Sequence, residues 1–297
     1  MKKRWLFILI IFSFAFLCVS LYSADYLKIP VIVSPAYLLA SLGAAMCGFL
    51  LDALAFRALL RHSHHVVPLR RIIAAIGLNS FAKYVPGKMW GVVGAGMYLA
   101  SRQQSSVSDM SMFFFNANLI SLWCGFLIGL IGLFFISGIA LLNGVAVFGM
   151  LLLTLVLFTP LFHVPASRIA SLVLRRSFVL PQLSVRQTLR VLPRYMATWV
   201  AVGVGFYCLA ASLEGPGRCA AWLFAYPLAA TAGTLTFFAP GGIGVREGAL
   251  AGYLSHAHMT LSAAVTVATA SRLWALVVEA LYFVIGFFAE KSAHRTT

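Results

Sequence analysis

Two stretches of this sequence set helix-breaking residues and cations inside apolar surroundings: Lys83-Tyr84-Val85-Pro86-Gly87-Lys88 and Pro240-Gly241-Gly242-Ile243-Gly244-Val245-Arg246-Glu247. Proline removes a helical N–H and glycine opens backbone angles that a helix forbids, so each stretch ends one helix and opens another. A half-helix starting after Pro86, or opened by the second glycine turn, directs free N–H groups and the positive end of its dipole toward the break. Lys83 and Lys88 add cations beside the first break, where Gly87 sits at the fold point. Arg246 stands in the first turn of the second, where Gly241, Gly242 and Gly244 expose the backbone. Arginine engages phosphate bidentately and lysine as a point charge, so a phosphate group is the natural ligand of such a pair. A packing role is open to the same residues, the glycines admitting close helix contact and the lysines anchoring at headgroups.

Five further charges fall in apolar segments: Asp52, Arg57, Glu247, Arg272 and Glu279. Each costs ~2.5 to 3.5 kcal/mol at the centre of a membrane helix unless partnered. Arg272 and Glu279 are a heptad apart on one helix face, which makes Glu247 with Arg272 the expected ion pair closing the second break onto the last helix. Glu279 is a candidate for carrying a coupling proton, as intramembrane carboxylates are by default. Asn79, Asn116 and Asn118 are candidate cavity residues, and interhelical hydrogen bonding accounts for them equally well.

The elements that must position these residues are membrane helices. Of 297 residues 62% are hydrophobic and only 10% charged, which excludes a soluble globular domain. Apolar segments run over about 5–22, 34–58, 72–99, 109–136, 139–161, 195–213, 219–255 and 261–289, most of them long enough for a hydrocarbon core of roughly 30 Å. The third and seventh hold the two breaks, and each half of the third, at about 13 residues and about 20 Å, is too short to span. The 22 Lys and Arg against 7 Asp and Glu sit mostly in loops, so the excess reads as membrane topology and not as a nucleic-acid surface.

Positive charge then fixes the threading. Lys2, Lys3 and Arg4 hold the N-terminus in the cytoplasm, and the second helix returns there at Arg57, Arg61, Arg70 and Arg71. A single crossing by residues 72–99 would put Arg168, Arg175, Arg176, Arg186, Arg190 and Arg194 outside, against the positive-inside rule. A re-entrant hairpin folded at Pro86 puts all six inside, with the C-terminus. The expected fold is therefore an all-α polytopic membrane protein of about six spanning helices plus two Pro-Gly-broken re-entrant hairpins. It forms one domain over 1–297, with a first repeat over 1–137, an oppositely oriented second over 138–297 and a basic cytoplasmic connector over 163–194. Ser167 to Leu180 reads as an interfacial helix or a solvated connector. The N-terminal apolar run reads as an uncleaved helix, because Tyr22-Ser23-Ala24 lacks the small residue a signal peptidase requires.

Other chemistries find little support. The five cysteines, Cys18, Cys47, Cys124, Cys208 and Cys219, are scattered and form no CxxC pair. His62, His64 and His65, and His256 with His258, lack metal-ligand spacing, and no cofactor is expected. No nucleophile-elbow, P-loop or zinc-protease motif occurs, so no enzymatic activity is expected.

The stretches Asn79 to Lys88 and Ala239 to Gly248, followed by Arg272 in the next helix, resemble those of the lysylphosphatidylglycerol synthase transmembrane-region family. The likeness covers nearly the whole chain, and the Pro240-to-Glu247 string is its most specific part; Lys88-Met89 stands where the family often has Gly-Glu. The resemblance implies a flippase-like protein of the bacterial cytoplasmic membrane moving a phosphate-bearing lipid between leaflets. The implied cargo is an aminoacyl phospholipid, a glycolipid or a polyprenyl-phosphate sugar. Its partners would be membrane lipids and a separate lipid-modifying or glycan-synthesis enzyme. On that reading Arg246 and Lys88 bind phosphate, Glu247 and Arg272 hold the hairpin, and Pro86, Pro240 and Asn79 shape the breaks. A small-anion or ion-coupled transporter, or a non-transporting subunit of an envelope synthesis complex, would use the same features.

Overall fold

The structure, a computed structural model, describes residues 30–63, 65–84, 90–103, 105–136, 140–159, 185–215, 219–236, 242 and 244–294. The expected first helix, the interfacial segment 167–180 and the residues Pro86, Gly87, Lys88, Pro240 and Gly241 lie outside this set. The protein is all-helical. Nine helices are described: α1 (Pro35–His62), α2 (Leu69–Leu78), α3 (Trp90–Gln103), α4 (Val107–Leu133), α5 (Ala140–Phe158), α6 (Val185–Glu214), α7 (Trp222–Leu235), α8 (Val245–His256) and α9 (Leu261–His294). A 3-10 turn over Ser80–Tyr84 extends α2.

Four of them, α1, α4, α6 and α9, are long and apolar enough to cross a bilayer. Their apolar residues continue onto the outer surface, where Leu39, Ile131, Val200 and Phe288 are exposed. Helices apolar on every side suit a solvent that is itself hydrocarbon. By contrast α2, α3, α7 and α8 have 10, 14, 14 and 12 residues, and none reaches roughly 30 Å at 1.5 Å per residue.

At the centre α1 and α6 run antiparallel in the most extensive contact among the described helices. The Val33 N–H donates to Ser212 O at one end (2.8 Å) and Gln187 Nε2 to His62 O at the other (3.1 Å). The short helices form two antiparallel pairs around this axis. In the first, Arg71 at the start of α2 donates to Arg102 O at the end of α3 (3.2 Å). In the second, Trp222 Nε1 at the start of α7 donates to Ala257 O just past the end of α8 (3.1 Å), and Tyr253 Oη donates to Ala221 O (3.1 Å). Packing is reciprocal: α2 lies on α9 and α7 on α4, while α3 lies on α4 and α8 on α9.

These contacts give the bundle two faces. On one, the end of α1, the starts of α2, α4 and α6 and the ends of α3 and α9 come together. Glu290 there accepts from Arg102 (2.5 Å) and Tyr98, and His65 meets the Phe113 ring at 5.2 Å. This face carries Arg61, Arg70, Arg71, Arg102, Arg186, Arg190 and Lys291. The opposite face gathers the starts of α1, α7 and α9 and the ends of α4, α6 and α8.

α6 begins ten residues earlier than its apolar core suggests, taking in Arg186, Arg190 and Arg194 from the expected connector. The reason is amphipathy: Thr188, Val191 and Tyr195 are buried on one stripe, while the arginines, four residues apart, stay exposed or at the rim on another. Pro193 is accommodated within this helix. Two apolar clusters lie along the axis. One, toward the basic face, includes Leu59, Ile72, Leu99, Met110 and Val191; the other includes Leu133, Leu209, Trp222, Leu254 and Val267.

Candidate functional site

The break between α7 and α8 is built from glycine. Gly242 and Gly244 have φ of +71° and +83°, a region closed to most side chains. At Gly242 an added Cβ would come within 2.9 Å of Gly233 Cα, so the returning chain lies directly on the backbone of α7. Gly244 caps α8, and the Glu247 carboxylate reaches back to accept its N–H (Oε2, 2.7 Å). This is the acidic half of a capping box, and it fixes both the turn and the first helical residues.

That cap turns Glu247 and Arg246 inward. Glu247 Oε1 lies 3.4 Å from Arg272 Nη1 on α9 and 4.0 Å from Arg246 Nε. Arg272 is fully buried. The pair anticipated between Glu247 and Arg272 therefore exists, and it ties the α7–α8 break to the last helix. Arg246 donates from Nη2 to Ser271 O (3.2 Å) and its guanidinium lies 4.9 Å from the Tyr226 ring centroid. Aromatic packing of this kind orients an arginine without consuming all of its five donors.

Arg246 opens onto a cavity of about 390 Å³ that runs between the two apolar clusters. Its lining comes from six helices besides α8: Phe49, Asp52 and Phe56 of α1, Ile76 of α2, Asn118 and Ser121 of α4, Tyr195, Thr198 and Trp199 of α6, Tyr226, Gly233 and Thr234 of α7, and Trp274 and Glu279 of α9. The volume is in the range of small-molecule and headgroup sites, roughly 300 to 1,000 Å³. Apolar and aromatic walls carry a few ionisable groups at different positions, with Asn118 and Thr234 exposed. Indole N–H groups are satisfied within the wall: Trp199 donates to Ser121 O (2.6 Å) and Trp274 to Ser41 Oγ (3.1 Å).

The sequence-derived residues divide as follows. Arg246 and Glu279 line the cavity, and Glu247 and Arg272 form the adjoining buried cluster. Gly242 and Gly244 make the turn. Of the asparagines, Asn118 lines the cavity; Asn79 caps the end of α2, donating to Ala75 O (2.8 Å), and Asn116 is buried outside the lining. Pro86, Gly87, Lys88, Pro240, Gly241 and the side chain of Lys83 lie outside the described residues. Sequence reasoning passed over Asp52, Tyr195 and Tyr226 as site residues. Asp52 was legible as a lone acid in an apolar segment, whereas nothing in the spacing of Tyr195 or Tyr226 marks them out from other buried aromatics.

With this geometry in place, comparison with known proteins gives one family. The family model described as "Lysylphosphatidylglycerol synthase TM region" matches residues 5–282, and the chain belongs to that family. No curated protein and no solved structure matches the chain.

Proposed function

We propose that this member of the lysylphosphatidylglycerol synthase transmembrane-region family is a lipid translocase of the bacterial cytoplasmic membrane, moving a phosphate-bearing lipid with a modified headgroup between leaflets. The observation that carries the reading is Arg246, held by Tyr226 and Ser271 at the α7–α8 break and opening onto a mostly apolar cavity lined by all four membrane-length helices. A cation at a helix start suits a phosphate, and the walls suit the glycerol or prenyl stem behind it. Acyl chains need not enter.

The α2–α3 and α7–α8 pairs are read as re-entrant hairpins entering from opposite sides, within an inverted repeat of residues 1–137 and 138–297 and about six spanning helices. Reciprocal packing of each hairpin against the last helix of the other half supports this, as does the gathering of arginines on one face, taken as cytoplasmic. In the same reading the protein is not an enzyme, uses no cofactor, and depends on a separate enzyme to make or consume its lipid.

Leaflet exchange in proteoliposomes tests the proposal, with labelled anionic phospholipid, aminoacyl phospholipid and polyprenyl-phosphate sugar compared side by side. Arg246→Ala should slow exchange roughly tenfold or more, the worth of one charge-assisted contact, while Arg246→Lys retains a part. Wild-type exchange by folded Arg246→Ala would sink the assignment.

A further inference from the structure

The charges around the cavity do not balance. Arg246 and Arg272 stand against three carboxylates, Asp52, Glu247 and Glu279, among the described residues. A phosphate arriving at Arg246 adds another negative charge to a low-dielectric site, where like charges repel strongly. Glu247 is already engaged, by Arg272 and the Gly244 N–H. Asp52 is different. It lines the cavity from α1, and among the described residues no hydrogen bond or ion pair reaches its carboxylate. The Tyr195 hydroxyl, buried and without a hydrogen-bond partner among the described residues, lines the same cavity from α6 within electrostatic reach of Asp52.

We propose that Asp52 is a proton-binding site that loads as an anionic headgroup docks at Arg246, so that lipid and proton cross the membrane together. A proton from the aqueous phase joins an Asp52 carboxylate oxygen, the new Asp52 O–H donates to Tyr195 Oη, and the proton leaves when the headgroup does. For a headgroup with one negative charge the loaded cavity then differs from the empty one by no net charge. A metal ion is a poor alternative, since no group of three His, Cys, Asp or Glu that could hold one comes together among the described residues. The groups facing Asp52 from the packed helices are Tyr195 and, behind it, Cys124, then Tyr282 and Glu279 from α9 and Arg246 across the cavity; α2 lines the cavity only with Ile76.

The coupling rests on the translocase reading; the protonation does not, and the experiment separates them. Infrared difference spectra of the membrane-reconstituted protein, recorded between acid and alkaline pH without added cargo, should contain a protonated-carboxyl stretch that is lost in Asp52→Asn and kept in Glu279→Gln. Tyr195→Phe should shift its titration midpoint. A band that survives Asp52→Asn unchanged overturns the proposal. Should Asp52→Asn fail to fold, Asp52→Glu replaces it, and the band must then move in frequency; an unmoved band overturns the proposal equally. In proteoliposomes containing labelled phosphatidylglycerol, aminoacyl phospholipid or polyprenyl-phosphate sugar, an imposed pH gradient should bias wild-type exchange of the lipid it carries, and Asp52→Asn should lose that bias. Exchange by Asp52→Asn that still follows the gradient overturns the coupling, whereas no exchange of any of the three lipids by the wild type overturns the translocase reading and leaves the spectra to decide the site.

Discussion

Arg272 is fully buried and Glu247 buried, on different helices, so each loses its nearest opposite charge in a low-dielectric core when the other is removed. Arg272→Ala should cost about 3 to 5 kcal/mol, and Glu247→Ala a similar amount. The double replacement should recover a large part of the loss, a non-additivity readable by thermal unfolding in detergent; strictly additive losses would mean that the pair is not coupled. Glu290 is the contrast. Its contacts to Arg102 and Tyr98 lie at a face where Arg102 is over one-third exposed, so Glu290→Gln should change stability by less than about 1 kcal/mol. The same distinction explains what could be read in advance. Intramembrane charges are few and costly, so Arg246, Glu247, Arg272 and Glu279 stood out by type alone. Tyr226 and Tyr195 did not, because an aromatic in an apolar helix is unremarkable until a cation or carboxylate is seen beside it.

At the level of elements, the described residues of the α7–α8 break include two glycines at positive φ and one capping carboxylate. Gly242→Ala places a Cβ within 2.9 Å of Gly233 backbone at a φ of +71°. It should destabilise the protein by more than ~1 kcal/mol and abolish exchange. Gly248→Ala, within α8 and with open space around its Cα, is the control: it should be neutral or stabilising by up to ~1 kcal/mol. Equal effects of the two, measured by melting temperature and exchange rate, would mean the turn geometry is dispensable. The breaks were legible because Pro-Gly clusters end helices locally. The start of α6 was not, since its first ten residues are held helical by the burial of Thr188 and Val191 against neighbours far along the chain.

For the whole molecule, the decisive question is which loops share a side of the membrane. The Arg71 to Arg102 contact brings both ends of the α2–α3 pair to one face, and Trp222 to Ala257 brings both ends of α7–α8 to the other. In a cysteine-free background, Val66→Cys and Ser106→Cys should therefore react with an impermeant thiol reagent from one side, and Thr260→Cys from the opposite side. Labelling of Ser106→Cys from the Thr260 side would instead make residues 69–103 a single crossing. Composition, segment length and the two Pro-Gly strings were enough to specify an all-helical membrane protein and the places where its helices break, because membrane burial and backbone sterics act on runs of neighbouring residues. The cavity was beyond them. Asp52, Tyr195, Tyr226, Arg246 and Glu279 come from five helices, and only the packing of those helices decides that their side chains meet around one space.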